Sequence, residues 1–272
     1  MIFEMHIPGA PLNEFVQNFF FFDDFVTPNL IERFLPDGNT EIIISLRDEA
    51  DHVYHNESLK EIQTCRSGWA SGLRTRPISI PAGSGSSKLV IVFKTGMAHP
   101  FFPIPMSELS NSVVDADRLW GNEFGFLRER ILAAAEPSDK FSIVEEFLLR
   151  RLNSDTELNP CVDFAVKGIG ADPSKTNLAK LSDKIGYSQK HLISMFKNNV
   201  GTTPKSYLRV IRFQRIIGEI ETCDKPDWPA LALDAGFYDQ AHFINDFKTL
   251  SGFTPNQYLE RKSDALNYVP VL

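Results

Sequence analysis

The chain is poor in cysteine, has no long apolar run and carries no overall excess of positive charge. Its three cysteines lie far apart with no C-x-x-C spacing, so a disulfide framework is excluded and a reduced, cytoplasmic protein is expected. No apolar run approaches the roughly 18 residues that a membrane span needs. The longest early candidate, residues 15–22, ends at Asp23 and Asp24 and follows no basic segment, so neither a signal peptide nor a membrane partner is expected.

The net charge of −7 over 272 residues argues against nucleic-acid binding by the chain as a whole. The charge is unevenly distributed, however. Residues 160–262 contain 14 Lys and Arg against 11 Asp and Glu, a charge of +3, whereas residues 1–159 carry −9. The length allows two cores, and the asymmetry predicts two domains with separate roles, residues 1–153 and 160–262, joined within the polar segment 153–160.

The first domain is predicted to be rich in strands. Residues 41–46 and 88–93 are β-branched and aromatic runs, each preceded by turn or loop residues such as Pro36 and Gly38. This pattern predicts a small antiparallel barrel or sandwich. Helical spacing of apolar residues follows in 126–132 and 141–152, with Ser138 as the expected N-cap of the second helix. That second helix either packs on the barrel or forms a dimer interface.

The second domain contains an internal repeat. Six positions recur at an offset of 50 residues, from Leu178/Trp228 to Tyr187/Phe237, and six more at an offset of 51, from Ser188/Asp239 to Tyr207/Tyr258. Each copy has an apolar helix, a glycine at the turn (Gly186 or Gly236) and a capped second helix. This pattern predicts two helix-turn-helix units, a DNA-binding architecture.

The second helix of each unit is predicted to face DNA with its polar side. Ser188 and Asp239 are the expected N-caps. The outward side chains are Gln189, Lys190, Ile193, Ser194 and Lys197 in the first copy, and Gln240, Ala241, His242, Asn245 and Lys248 in the second. Thr203 and Pro204 open a connecting helix that runs to about Glu221. A helix of that length would hold the two reading helices about one turn of B-DNA apart, in successive major grooves.

These residues resemble a known family. The second copy closely resembles the signature of AraC-type bacterial transcription regulators in three stretches: Gly236-Phe237-Tyr238-Asp239-Gln240-Ala241-His242-Phe243, Phe247-Lys248 and Gly252-Phe253-Thr254-Pro255. The first copy resembles the first half of the same domain. The resemblance implies a seven-helix DNA-binding domain whose base-reading positions are Lys190, Ile193, Ser194, Gln240, Ala241, His242 and Asn245. It also implies operator DNA, a second copy of the chain, RNA polymerase and a small-molecule effector as partners.

The sequence departs from that family at several positions. Many members carry arginine where this chain has Ser194 and Asn245, so two candidate guanine contacts are absent. Ser182 and Ile216 stand where small alanines are common, and Asp246 is expected to place an acid near the groove. We therefore expect weak binding by a monomer, with a dimer or second site supplying much of the affinity.

The first domain more loosely resembles a cupin-like effector or dimerisation domain, through Leu35-Pro36-Asp37-Gly38, Glu41-Ile42-Ile43 and Phe93-Lys94-Thr95-Gly96. The expected fold class is therefore α+β: a cupin-like antiparallel β-barrel with trailing helices, then an all-α domain. Trp69, Arg74 and Arg76 are the candidate ligand-binding residues, the two arginines for an anionic effector. The spacing of His52, His55 and His99 does not match a cupin metal site, and no metal, cofactor or enzymatic activity is expected. A cupin-fold enzyme with a DNA-binding tail and a regulator controlled by a protein partner are the alternatives.

Overall fold

The computed structural model describes residues 1–82, 85–152, 158–221, 223, 225–263 and 265–272. The N-terminal part holds ten strands, and an eleventh comes from the C-terminal end of the chain. The strands are β1 Ile2–His6, β2 Val16–Phe25, β3 Ile31–Phe34, β4 Thr40–Ser45, β5 Asp51–Tyr54, β6 Glu61–Cys65, β7 Gly68–Ser71, β8 Ile78–Pro81, β9 Ser86–Phe93, β10 Val113–Asp115 and β11 Tyr268–Pro270.

These strands form two antiparallel sheets that face one another. One sheet has the order β1-β2-β9-β4-β7-β10 and the other β11-β3-β8-β5-β6. The predicted strands 41–46 and 88–93 are confirmed as β4 and β9, neighbours in the first sheet. The prediction of a closed barrel is corrected to two open sheets. Among the described strands, no pair of backbone-bonded strands joins one sheet to the other. Where β6 and β10 come together, the contact is made by the side-chain amide of Gln63, which donates to the Val113 carbonyl at 2.9 Å.

The outer face of the six-stranded sheet carries the main core of this domain. Phe19, Phe21, Ile42 and Ile44 alternate along β2 and β4 and are buried against helices. These helices are α1 Met106–Leu109, α2 Ala116–Trp120, α3 Asn122–Ala133 and α4 Pro137–Leu149, preceded by short 3-10 turns at Leu12–Glu14 and His99–Phe101. The sequence predicted Ser138 as the N-cap of the second long helix, and this prediction is wrong. Helix α4 already begins at Pro137, whose backbone is suited to the first helical position, so Ser138 lies inside the helix.

The C-terminal part contains the expected seven helices. They are α5 Pro160–Ala171, α6 Leu178–Ile185, α7 Gln189–Val200, α8 Pro204–Glu221, α9 Trp228–Asp234, α10 Gln240–Ser251 and α11 Pro255–Leu259. The predicted boundary at 153–160 falls largely on residues 153–157, outside the described residues; α5 follows directly, capped by the Asn159 side chain. None of the described helices is both long and apolar enough to cross a membrane.

The two parts are packed together rather than only tethered. Leu35, in the β3–β4 loop, is fully buried in the same core as α8 and α10. Strand β11 returns from the helical part and pairs with β3, and Val269 joins that core. At the end of α7, Gly201 has a left-handed backbone, φ +93°, and lies so close to α1 that an added Cβ would stand 2.7 Å from the Met106 carbonyl oxygen. The contact between α7 and α1 therefore requires glycine.

Replacing Gly201 with alanine is expected to lower the free energy of unfolding by about 2 kcal/mol or more, because the new methyl group meets backbone and the positive φ is strained. Gly218→Ala is the matched control. Gly218 lies inside α8 with open space around it, so alanine there should stabilise the protein by about 0.5–1 kcal/mol. Urea unfolding of both variants measures this, and equal stabilities would contradict the close approach.

Candidate nucleic-acid interface

The first helix-turn-helix unit consists of α6 and α7. The Asn177 side chain caps α6 by accepting hydrogen bonds from the backbone N–H groups of Ala179 and Lys180 at 3.0 and 3.1 Å. Gly186 ends the helix with φ +80°, and Ser188 then caps α7 by accepting from the His191 N–H at 3.3 Å. Gly186 and Ser188 occupy the predicted turn and cap positions, and they fix the angle at which α7 leaves the turn.

The second unit, α9 and α10, repeats this construction. Asp227 caps α9, Pro229 lies in its first turn and Asp239 caps α10 by accepting from the His242 N–H at 2.7 Å. Helix α9 ends at Asp234, slightly before Gly236, which takes the left-handed conformation (φ +84°) in the turn. Trp228 packs on Phe243 and Phe247 and donates from Nε1 to Asn256 at 2.7 Å.

Helix α8 connects the two units and is buried in the cores of both. Tyr207 and Leu208 belong to the core of the first unit, whereas Phe213, Ile216 and Ile220 belong to that of the second. Its 18 residues span about 27 Å, compared with about 34 Å for a turn of B-DNA. One rigid element therefore fixes the separation of α7 and α10.

The sequence predicted that Asp246 places an acid near the groove, but the side chain points inward. Its side chain is only 9% exposed and forms a bidentate pair with Arg209 of α8, at 2.9 and 2.7 Å. The pair ties the second recognition helix to the connecting helix, and it also lies 3.6 Å from His242. The sequence shows both charges, but their separation of 37 residues hides the contact.

The predicted reading residues all lie on exposed faces of the two recognition helices. Helix α7 presents the five residues Gln189, Lys190, Ile193, Ser194 and Lys197, and α10 presents Gln240, Ala241, His242, Asn245 and Lys248. The apolar side chains Leu192, Phe196, Phe243 and Phe247 of the same helices point inward and are fully buried. Each helix thus offers a polar surface of the kind that enters a major groove.

Two exposed residues beside these helices were missed at the sequence level. Tyr238, in the turn before α10, is 92% exposed. His191 of α7 is also exposed, and its ring stacks near that of Tyr187 at 4.7 Å between centroids. The repeat locates this turn in the sequence, because Tyr187 and Phe237 are equivalent positions in it. Only the structure shows that the next residue, Tyr238, projects from the turn.

The structure separates the three ligand-binding candidates of the first domain. Trp69 is buried against Ile43 and Cys65, with the Lys88 ammonium 4.7 Å from its ring centre. Arg74 is buried and directs its guanidinium to the carbonyls of Arg76, Asn111 and Ser112 at 3.3–3.5 Å. Burial lowers the pKa of Arg74 to about 10. Arg76 is exposed, so the two arginines do not form a common anion site.

Comparisons with known proteins agree with this architecture. Residues 181–261 match the family described as a helix-turn-helix domain, and residues 4–115 match a domain of unknown function, DUF6597. The XylDLEGF operon transcriptional activator 1 of Pseudomonas putida is 25% identical over 107 residues, 38% of this chain and 32% of that protein. The alignment thus covers about a third of that relative's length.

Two solved structures align with parts of this chain at TM-scores below 0.5. An apo ToxT variant from Vibrio cholerae aligns with 89% of this chain and 97% of its own, at a TM-score of 0.47 and 13% identity. The C-terminal domain of AraT from Geobacillus stearothermophilus aligns with 39% of this chain and 88% of its own, at a TM-score of 0.35 and 25% identity. Residues 181–261, which hold nearly all of the two capped units, are thus similar to a helix-turn-helix domain.

Asp246→Ala is expected to destabilise the domain by about 1–3 kcal/mol, because it leaves Arg209 without its charged hydrogen bonds. Asp183→Ala, an exposed acid on α6, is the control and should change stability by less than about 0.5 kcal/mol. Chemical unfolding measures both. An Asp246→Ala variant as stable as the control would mean that the ion pair does not hold α10 on α8.

Proposed function

We propose that this protein is a sequence-specific transcription regulator, not an enzyme, which places α7 and α10 in successive major grooves of an operator. The observation that supports this most strongly is the pair of recognition helices with free polar faces, held at one separation by α8. A mildly basic C-terminal part beside an acidic N-terminal part is consistent with separate DNA-binding and sensing or dimerising domains. A cytoplasmic location fits this role.

The reading residues define the expected operator contacts. Gln240 is suited to a bidentate pair with adenine, and Asn245 to the same base. Ile193 and Ala241 are suited to the methyl group of thymine, and Lys190 to a base edge, while Lys197 and Lys248 contact phosphates. With Ser194 and Asn245 in place of arginines, base contacts are few. A homodimer would therefore supply much of the affinity, and RNA polymerase and a small-molecule effector are the further partners that we propose.

The experiment that tests the proposal is selection of genomic fragments by the purified full chain at about 150 mM salt, near physiological ionic strength. A sequence motif with two half-sites about one helical turn apart is the expected result, because α8 sets that spacing. Retention of DNA without any motif, or no retention, would overturn the assignment of a sequence-specific reader.

Gln240→Ala and Lys248→Gln are expected to have different effects on the selected operator. Loss of a base contact at Gln240 should cost about 1–3 kcal/mol and relax preference at one position, whereas loss of a phosphate contact at Lys248 should weaken binding to all sequences. The Lys248 variant should also reduce the slope of log K against log salt by about one. Lys60→Gln, an exposed lysine of the first domain, is the control, and fluorescence anisotropy over a salt series measures all three.

A further inference from the structure

The inner faces of the two sheets border a space, called the cleft here, across which Tyr268 of β11 lies near Glu41 of β4 and Asp37. On the six-stranded sheet, Asn18, Val92, Glu41 and Ser71 are paired directly across four neighbouring strands, so their side chains share one face. That face is opposite the one that carries Ile42 and Ile44 into the main core. The cleft is lined by this row together with aromatic residues of both sheets: Phe20, Phe34 and Tyr268.

The side chains that border this space are only partly buried. Tyr268 keeps 36% of its surface accessible, although burial is the main cause that raises the pKa of its hydroxyl far above the ordinary value. Phe20, Phe34 and Glu41 are likewise only half-buried. Phe34 and Tyr268 lie side by side, with ring centres 5.0 Å apart.

Glu41 is an unpaired acid in this cleft. Among the described residues, its carboxylate accepts no hydrogen bond and forms no close ion pair. The charges that act on it are Asp37, which raises its pKa, and Arg74, which lowers it. Burial, then repulsion by Asp37, raises the pKa of Glu41 to about 8. The Oδ1 atom of Asn18, in the same row, is buried and also lacks a partner within the described part of the chain. Unpaired buried polar groups are costly, so both indicate a missing ligand.

We infer that this cleft, as the sensing site of the proposed regulator, binds a small organic cation. An amine or guanidinium group would pair with Glu41 and donate to Asn18, while an apolar body would lie against the rings of Phe20, Phe34 and Tyr268. Arg74 does not favour an anion here, because three backbone carbonyls occupy its guanidinium. The inference rests on the proposed function only in giving this binding a regulatory role.

The walls of the cleft are attached to the helix that spaces the DNA-reading helices. Asp37 lies in a loop whose Pro36 carbonyl accepts from Gln214 of α8 at 2.7 Å, and whose Gly38 packs on Tyr207 and Ile211 of the same helix. Tyr268 follows Asn267, which accepts from Gln214 at 2.8 Å. A cation that changes the position or charge of Asp37 and Glu41 therefore acts on segments docked to α8, and its binding is linked to that of DNA.

The direct test compares three probes of equal shape, 2-phenylethylammonium, 2-phenylethanol and phenylacetate, by calorimetric titration of the full chain at pH 7.5. The ammonium probe should bind at least about tenfold more tightly than the alcohol, and phenylacetate more weakly than either. Glu41→Gln, a near-isosteric change, should remove the preference for the cation, whereas Glu49→Gln, at an exposed acid of the same domain, should keep it. Equal binding of the probes, binding of none, preference for phenylacetate, or an unchanged Glu41→Gln variant would overturn the inference.

A pH series provides a second readout that a purely structural role of Glu41 would not produce. Two other charged groups act on Glu41, Asp37 from the β3–β4 loop and Arg74 from the β7–β8 loop; Tyr268 of β11 lies near Glu41, Asp37 and Glu32. Because Glu41 must lose its proton to pair with the cation, affinity for the ammonium probe should rise by up to about tenfold per pH unit from pH 6 and level off near pH 8. A flat profile in the wild type, or the same rise in Glu41→Gln, would contradict this pairing.

Retention of genomic DNA by the same preparation separates the two proposals. Sequence-specific retention without a preference for the ammonium probe overturns the ligand class alone. Preference for the ammonium probe without retention of DNA supports the cation site and overturns the regulator. Where both hold, saturating probe should change operator affinity by about fivefold or more, and no change would overturn the sensing role of the cleft.

Discussion

Burial of α8 in the cores of both helix-turn-helix units is the constraint on which the rest of the structure depends. The helix contributes Tyr207 to one core and Phe213 and Ile216 to the other, so neither unit can rotate without disrupting apolar packing. The Arg209–Asp246 pair adds a directional contact between α8 and the second recognition helix. The separation of the reading faces thus follows from core packing rather than from loops, and the loops need only set the angle within each unit.

The same helix also connects the N-terminal part of the chain to the C-terminal part. The loop after β3 and the C-terminal strand β11 both end against α8, and both contribute residues to the cleft between the sheets. The two sheets stay open at their edges, which leaves room for polar groups such as Glu41 and Asn18 that a tightly packed sandwich would exclude. The space that holds Glu41 is therefore bordered by segments that contact α8 of the C-terminal part.

Local features of the sequence were sufficient to predict most of the DNA-binding domain. The caps Asn177, Ser188 and Asp239 and the turn glycines act within a few residues of their own position, so their pattern specifies helix ends and outward faces without knowledge of the fold. Contacts between distant residues were not predictable in this way. Asp246 was predicted to lie near the groove because helical spacing gives only its approximate direction. Its partner Arg209 lies 37 residues earlier in the chain, so the sequence pattern does not show the contact.

The N-terminal part shows the same limit more strongly. Alternation predicted β4 and β9, but which face of β4 meets a helix and which meets the other sheet depends on strands far away in sequence. Tyr268 lies in a three-residue strand after a helical domain, and no periodicity indicates that it returns to β3. Arg74 and Trp69 stood out by residue type, whereas Glu41 lies within an apolar run where an isolated acid is easily taken for a surface residue. Only its pairing with Val92 and Ser71 places that acid in the interior, and an unpaired acid there is explained by a cation that it can bind.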